Sequence, residues 1–293
     1  MERLFPPPVP RKEANLEIAP FKKEDAAVFL VHACAEGWLC EPWEIDFLLN
    51  AFPSGCLTAR KGGVPFAFVT AVSYGCHGWI GNLLVHPAER GRGVGLTLMQ
   101  RALAELRKVR TETVWLTASA AGRPLYERLG FREIDTVRRW VGAGCGNART
   151  LQGQGDVPVL PADRLGWGEP RTQLVDAITA RAVVYSGPAG FLMAQPAAGY
   201  IQIGPWAGDS LRQTFHLFDK LLSHLGKKRV VLDSPAGNDI EGDLRMRNFY
   251  ATSSASLMFR GERPEYRPHT SVPWAASEAW GEVASIYSDK ELR

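Results

Sequence analysis

The stretch from Val85 to Gln100, VHPAERGRGVGLTLMQ, constrains this chain more than any other, because it sets three glycines within five positions directly before a strong helical pattern. Leu96, Met99, Leu103 and Leu106 recur at helical spacing on one face, and the preceding GWIGNLLV, Gly78 to Val85, reads as a short apolar strand ended by His86-Pro87. A helix start carries backbone N–H groups without intrahelical partners and a partial positive charge, so it draws anions. Gly91, Gly93 and Gly95 remove Cβ atoms and allow unusual backbone angles, letting a phosphate approach several amides. Arg90 and Arg92 add charge and forked donors. Two familiar phosphate loops are excluded on spacing: a Walker loop needs a lysine that is missing here, and a dinucleotide fingerprint needs GxGxxG where this chain has GxGxG.

Upstream, NLEIAPF reads as a first strand, followed by a helix from about Lys23 to Cys34 and another from Pro42 to Leu49, with Pro42 suited to the first turn. GCLTARKGGVPFAFVTAVSY is a hairpin turning at Lys61-Gly62-Gly63. Downstream, VWLTA from Val114 is a buried strand, RPLYERLGF from Arg123 a short helix stopped by Gly130, and TVRRWV from Thr136 a last strand. Residues 142–170 are loop-like and read as a linker. Beyond it the order repeats: three strands, a helix with Leu211, Phe215, Phe218, Leu222 and Leu225 on one face, a strand, a helix from about Asp239 to Asn248, and a strand SASLMF. The expected organisation is a leader 1–14, a first domain 15–141, the linker, a second domain 171–262 and a proline- and tryptophan-bearing arm 263–293.

VHPAERGRGVG resembles the acyl-CoA loop of the GNAT acetyltransferase superfamily, with Arg90, Gly93 and Gly95 at its signature positions. PLYERLGF, Pro124 to Phe131, resembles the second motif of that family, with Tyr126 at its catalytic tyrosine. The resemblance covers about residues 15–141 and implies a mixed α/β fold, α+β-like, of mostly antiparallel strands splayed beside the loop and flanked by helices. It also implies acetyl-CoA as the acetyl-donor cosubstrate and N-acetylation of an amine by direct attack in a ternary complex. By carry-over, Leu83, Leu84 and Val85 hold the pantetheine arm, and Arg90, Gly91, Arg92, Gly93, Val94 and Gly95 supply the pyrophosphate cradle. Tyr126, with a phenol near pKa ~10, suits proton donation to a thiolate of pKa roughly 8.5.

Many family members carry a glutamate on the strand before the loop, and GWIGNLLV has no carboxylate. His77, His86, Asn82 through a water, or an unaided water chain remain as the route for the acceptor's proton. For the acceptor, Glu36, Trp38, Glu41 and Trp43 join Asn82 as candidates, since carboxylates and aromatic faces suit a cationic amine; the ordinary reading of that segment is a solvated helix face with tryptophans in the core. The second half has PWAGDSLRQ where the first has AERGRGVGLT and resembles the degenerate C-terminal GNAT-like domain of tandem acetyltransferases. There Asp209 would repel phosphate. That half is expected to bind no CoA, with Arg245 aligned to Tyr126 and with Trp206 or Arg245 facing the cleft. The alternative function is a non-catalytic acyl-CoA sensor or scaffold.

A net charge of +3 with scattered basic residues points to neither nucleic acid nor membrane as partner. Cys34, Cys40, Cys56, Cys76 and Cys145 show no metal or disulfide spacing and fit a reducing cytoplasm, so no metal is expected. The N-terminus lacks a signal-peptide core, and a monomer or homodimer is expected.

Overall fold

The computed structural model of the chain describes residues 16–153, 164, 167 and 169–272; the expected leader and the arm beyond residue 272 lie outside the described residues. The first half runs β1 (Leu16–Pro20), α1 (Ala26–Ala35), α2 (Pro42–Ala51), β2 (Leu57–Lys61), β3 (Val64–Tyr74), β4 (His77–Val85), α3 (Val94–Lys108), β5 (Thr113–Ala118), α4 (Arg123–Arg128) and β6 (Arg132–Ala143). The second runs α5 (Thr172–Thr179), β7 (Val183–Gly187), β8 (Gly190–Ala197), β9 (Tyr200–Gly208), α6 (Leu211–His224), β10 (Arg229–Pro235), α7 (Glu241–Met246) and β11 (Tyr250–Gly261), and a short β12 (Ser271–Val272) follows. From β2 to β6 and from β7 to β11 the same succession recurs: three strands, helix, strand, short helix, strand.

Local chemistry sets the helix starts. Pro42 opens α2, whose first turn is held by a capping box in which the Glu41 N–H donates to the Glu44 carboxylate at 3.2 Å. Ser210 precedes α6, which buries Leu211, Thr214, Phe215, Leu217, Phe218, Leu221 and Leu222 against β7–β10, as its apolar spacing requires. The helix expected from Asp239 to Asn248 is confined to Glu241–Met246.

All strands join one sheet in the order β1-β2-β3-β4-β5-β11-β6-β10-β9-β8-β7, with β12 added to β9. The last strands of the two halves are exchanged: β11 pairs with β5 of the first half, β6 pairs with β10 of the second, and the two lie antiparallel at the centre. Being paired on both sides explains why β6 and β11 outrun the expected TVRRWV and SASLMF. Gly142, expected to open the linker, is still in β6, where a Cβ would lie 2.6 Å from the Phe249 ring.

Between β6 and β10, Arg139 donates to both oxygens of Asp233 at 2.8 and 2.7 Å, with side chains 2% and 1% exposed. Burial works against the guanidinium charge, and the Asp233 carboxylate outweighs it, so the Arg139 pKa ends above its usual value. On one face of the sheet, α3 and α6 cover separate cores, the first around Leu98, Met99 and Leu106 and the second around Trp206 and Phe218. On the other face α1 and α2 pack on β3 and β4 through Phe29, Ile45, Phe68 and Leu84. Helix α2 also sends Trp43 and Phe47 to the cluster of α5 and β8, so it bridges both halves.

Candidate functional site

The site begins with a defect in β4. Its register against β3 advances two residues on β3, Phe68 to Thr70, while three pass on β4, Leu84 to Gly81, which is a bulge. Asn82 occupies it with φ 54°, an unusual angle for a residue with a Cβ, and its Nδ2 donates to Thr70 Oγ1 at 3.0 Å. Strands β4 and β5 are paired in parallel over His77–Trp79 and Thr113–Trp115, and then diverge. Ile80 to Val85 therefore flank a V-shaped opening between two strands that a flat sheet would have closed.

The glycine loop stands at the end of this opening. Gly91 and Gly93 have φ 77° and 78°, and a Cβ built on either meets nothing within 4 Å, so both need glycine for their angles and both face open space. Thr97 N–H bonds the Gly93 carbonyl at 3.0 Å as the helix ladder begins, which leaves the amides of Val94 to Leu96 in the first turn, before the ladder. Gly95 sits where elements converge: a Cβ there would be 3.7 Å from Leu125 and Val85 and 3.8 Å from Leu83. This loop presents a set of first-turn backbone amides, and its course rests on angles only glycine adopts freely.

The arginine side chains behave differently from the expectation. Arg90 Nε donates to the Val85 carbonyl at 2.9 Å and Nη2 to Glu36 at 2.5 Å, while Arg92 pairs with Glu89 at 2.9 Å. Arg90 thus ties the loop to the strand end and to α1. Glu36, taken as an acceptor candidate, is the partner of Arg90 on the loop side.

Tyr126 is 7% exposed in α4 and belongs to one apolar cluster with Val94, Leu98, Leu116 and Ala118, against which Leu83 and Val85 pack. Its ring meets Phe131 edge-on at 6.1 Å, and a Cβ at Gly122 would come within 3.1 Å of it. The structure thus brings together β4, the glycine helix and Tyr126, separated by up to 43 residues in sequence.

The remaining candidates separate. Trp38 meets Phe29 edge-on at 6.3 Å in the core of α1 and β3. Glu41 accepts the Ala198 N–H of the second half at 3.2 Å, and Trp43 lies under Arg181 at 4.2 Å, beside a groove of about 540 Å³ between α2 and α5. Asn82 is at the opening itself. Burial lowers the His77 pKa, Glu169 opposing, but His77 begins β4 and stands five residues, roughly 17 Å of strand, from Asn82. His86 accepts from Ala88 N–H at 3.3 Å and lies 5.2 Å from His32, whose pKa is lowered by burial and then by His86, with Glu36 opposing.

Another carboxylate of the acidic, aromatic segment 36–47 lies near the seam. Glu44 is 6% exposed on α2, and burial, then Glu44 and Glu41, raise the Tyr200 phenol well above its usual value, Arg139 opposing. The sequence signal is subtle: α2 is apolar on two sides of Glu44, through Ile45 and Leu48 and through Trp43 and Phe47, which buries what lies between.

In the second half, the residue matching Tyr126 is Leu244, not Arg245. Phe131 and Leu129 N–H bond the Tyr126 carbonyl at 3.0 Å, and Phe249 and Arg247 N–H bond the Leu244 carbonyl at 3.1 and 3.0 Å. Leu244 is buried and carries no hydroxyl. Trp206 is wholly buried, stacked on Phe218 at 5.1 Å, and faces no cleft. Arg245 lies over Trp140 at 5.4 Å and pairs with Glu241. Among the described residues there is no group of three or more His, Cys, Asp or Glu able to hold a metal, and no helix long and apolar enough to cross a membrane.

The model of the acetyltransferase (GNAT) family matches residues 21–131. An uncharacterized N-acetyltransferase of Methanocaldococcus jannaschii is 29% identical over 113 residues, which are 34% of this chain and 48% of that protein, so the match spans about half of the relative. Among solved structures, a candidate acetyltransferase from Pyrococcus horikoshii aligns at a TM-score of 0.76 and 20% identity over 95% of this chain and 98% of its own. A GCN5-related N-acetyltransferase from Sphaerobacter thermophilus gives 0.62 at 16% identity over 87% and 98%. At such identities the two structures are likenesses of fold.

Proposed function

We propose, from the match of residues 21–131 to the model of the acetyltransferase (GNAT) family, that the chain transfers the acetyl group of acetyl-CoA to a primary amine, a small molecule rather than a protein. The observation that carries this reading is the convergence of the β4–β5 opening, the glycine cradle and Tyr126 in one cluster. The cofactor supplies an activated thioester. The chain supplies the rest: amides of residues 90–95 hold the pyrophosphate, and the backbone of Leu83 to Val85 orients the pantetheine arm. Tyr126 Oη would give a proton to the departing sulfur as the C–S bond breaks, and the proton that the amine nitrogen loses on bonding the acetyl carbon would pass to water, from which the phenol is replenished. Asn82, held at the bulge, faces the approaching amine.

The other face of the sheet, roofed by α2 and bordered by the second half, is the acceptor side. Glu44 and the Glu41–Ala198 contact support reading the second half as part of that wall, and an enclosed small amine as the acceptor. The division that follows is a catalytic unit ending with β6, a linker, a second unit that completes the sheet and pocket, and an arm. Titration calorimetry with acetyl-CoA, followed by thiol release across a panel of amines, tests the proposal. Saturable binding with acceptor-dependent thiol release is expected. Absence of saturable binding overturns it, and binding without release to any amine leaves a sensor instead.

A further inference from the structure

The second half repeats the splay of the first, and the repeat can be aligned through the bulges. Against β8, the register advances from Leu192 to Ala194 while β9 passes from Trp206 to Ile203, the same two-against-three step as in β3 and β4. Trp206, packed under α6, and Ala207, on the opposite face, therefore fall among the counterparts of Leu83, Leu84 and Val85, the residues proposed to face pantetheine in the first half. Strands β9 and β10 are paired through Ile203 and Leu232 and then diverge, as β4 and β5 do.

What differs is what fills the opening. In the second half β12 pairs antiparallel with β9, Ser271 opposite Ala207 and Val272 opposite Trp206. The loop is also closed. Eight residues, 86–93, separate β4 from α3, but only two, 209–210, separate β9 from α6. At Gly208 a Cβ would be 2.2 Å from the Ala189 carbonyl, whereas Gly91 and Gly93 face open space. Pro205 brings no N–H to the strand.

We infer that the splayed groove of the second half is a peptide-strand site, occupied by the C-terminal segment of the same chain in the position that pantetheine takes in the first half. The unpaired backbone of a splayed strand must be satisfied by something, and an extended peptide satisfies it as an amide-bearing pantetheine arm does. The path leading there is anchored along its length. Beyond β11, Thr113 Oγ1 donates to the Glu262 carbonyl at 2.9 Å, and Tyr266 rests on Trp115 and Trp167, both at 5.7 Å. Tyr266 also donates to Asp135 at 3.1 Å, and Pro268 passes beside Gly237. The chain then takes one acyl-CoA, because its second groove is filled from within.

The test uses the full chain with S271P and V272P, which remove the N–H groups of β12. Hydrogen exchange followed by mass spectrometry should show the segment 200–208 exchanging about tenfold or more faster than in the parent, with 77–85 unchanged, and a synthetic peptide spanning residues 266–277 should restore protection. Equal exchange in variant and parent overturns the inference. A second variant does not depend on proline tolerance: A207C with S271C joins register partners, whose separation of roughly 4.5–5.5 Å suits a disulfide. Peptide mapping should find that bond after mild oxidation, and its absence overturns the assignment. Calorimetry on the parent reading two acetyl-CoA sites would overturn it too, whereas no site at all would refute the proposed function and leave the exchange result standing.

Discussion

Replacing Gly93 with alanine separates two roles that the loop combines. Gly93 has φ 78°, a left-handed angle that costs a residue bearing a Cβ about 1–2 kcal/mol. The loss is partly offset by a stiffer unfolded chain, worth about 0.4–1 kcal/mol, so the net destabilisation is about 1 kcal/mol. No steric cost adds to it, because the new Cβ meets nothing within 4 Å. In a chain of this size that is a fall of roughly 2–4 °C in Tm. Gly62, in the β2–β3 turn, is the matched control: φ 59°, also nothing within 4 Å, and remote from the loop. Gly62→Ala should lose the same stability. The two variants differ in the open space they intrude on, since at Gly93 it is the space proposed for phosphate. Acetyl-CoA affinity by calorimetry should fall roughly tenfold, about 1.4 kcal/mol, for Gly93→Ala and stay unchanged for Gly62→Ala. Equal affinity in both variants, with equal loss of stability, would refute the cradle. An unchanged Tm at Gly93 would refute the left-handed loop.

Tyr126→Phe should lower kcat by about 10²–10⁴ while acetyl-CoA affinity is kept, as steady-state kinetics with calorimetry would show. Arg139→Met leaves Asp233 buried without its partner and should destabilise by about 3–5 kcal/mol in urea unfolding, and adding Asp233→Leu should recover most of that. Burial, helped by Glu169, lifts the Cys76 thiol to about 11, so at pH 8 about one part in a thousand is thiolate. Iodoacetamide should therefore label exposed Cys34 and Cys145 long before Cys76, as peptide mass spectrometry would register. Burial lifts Cys56 from 9.0 to about 12, with a backbone hydrogen bond at Ala71 opposing. The unfolded thiol ionises first, so stability present below pH 9 is lost as pH rises towards 12. Cys56→Ala should flatten that alkaline loss in denaturant titrations, and an unaltered slope would count against the assignment.

The elements were largely legible because each is dictated locally. The spacing of Leu211, Phe215, Phe218 and Leu222 fixes α6 without reference to any neighbour, and Pro42 with Glu41 fixes where α2 starts. The cradle was legible for the same reason: left-handed angles at 91 and 93 are a property of glycine. Arg245 was misassigned because counting along a short helix cannot fix its register, which only the backbone bonds from Phe249 and Arg247 to Leu244 reveal. The Arg90 contact of Glu36 and the core packing of Trp38 were not legible, because composition shows that a segment is acidic and aromatic, not which way each side chain turns.

By itself, then, the sequence determined two successions of strands and helices, a glycine-rich helix start in the first of them and a tyrosine one motif away. Those follow from periodicity, from capping and from the absence of a Cβ, all short-range effects. Only the tertiary structure decided that β6 and β11 change places, that Arg139 meets Asp233 across the seam, that Glu44 on α2 is buried and that the second groove holds β12. Each of these rests on contacts between residues far apart in the chain, 94 positions for Arg139 and Asp233, and strand pairing, which uses backbone groups common to every residue, leaves no mark in the side chains that spell it.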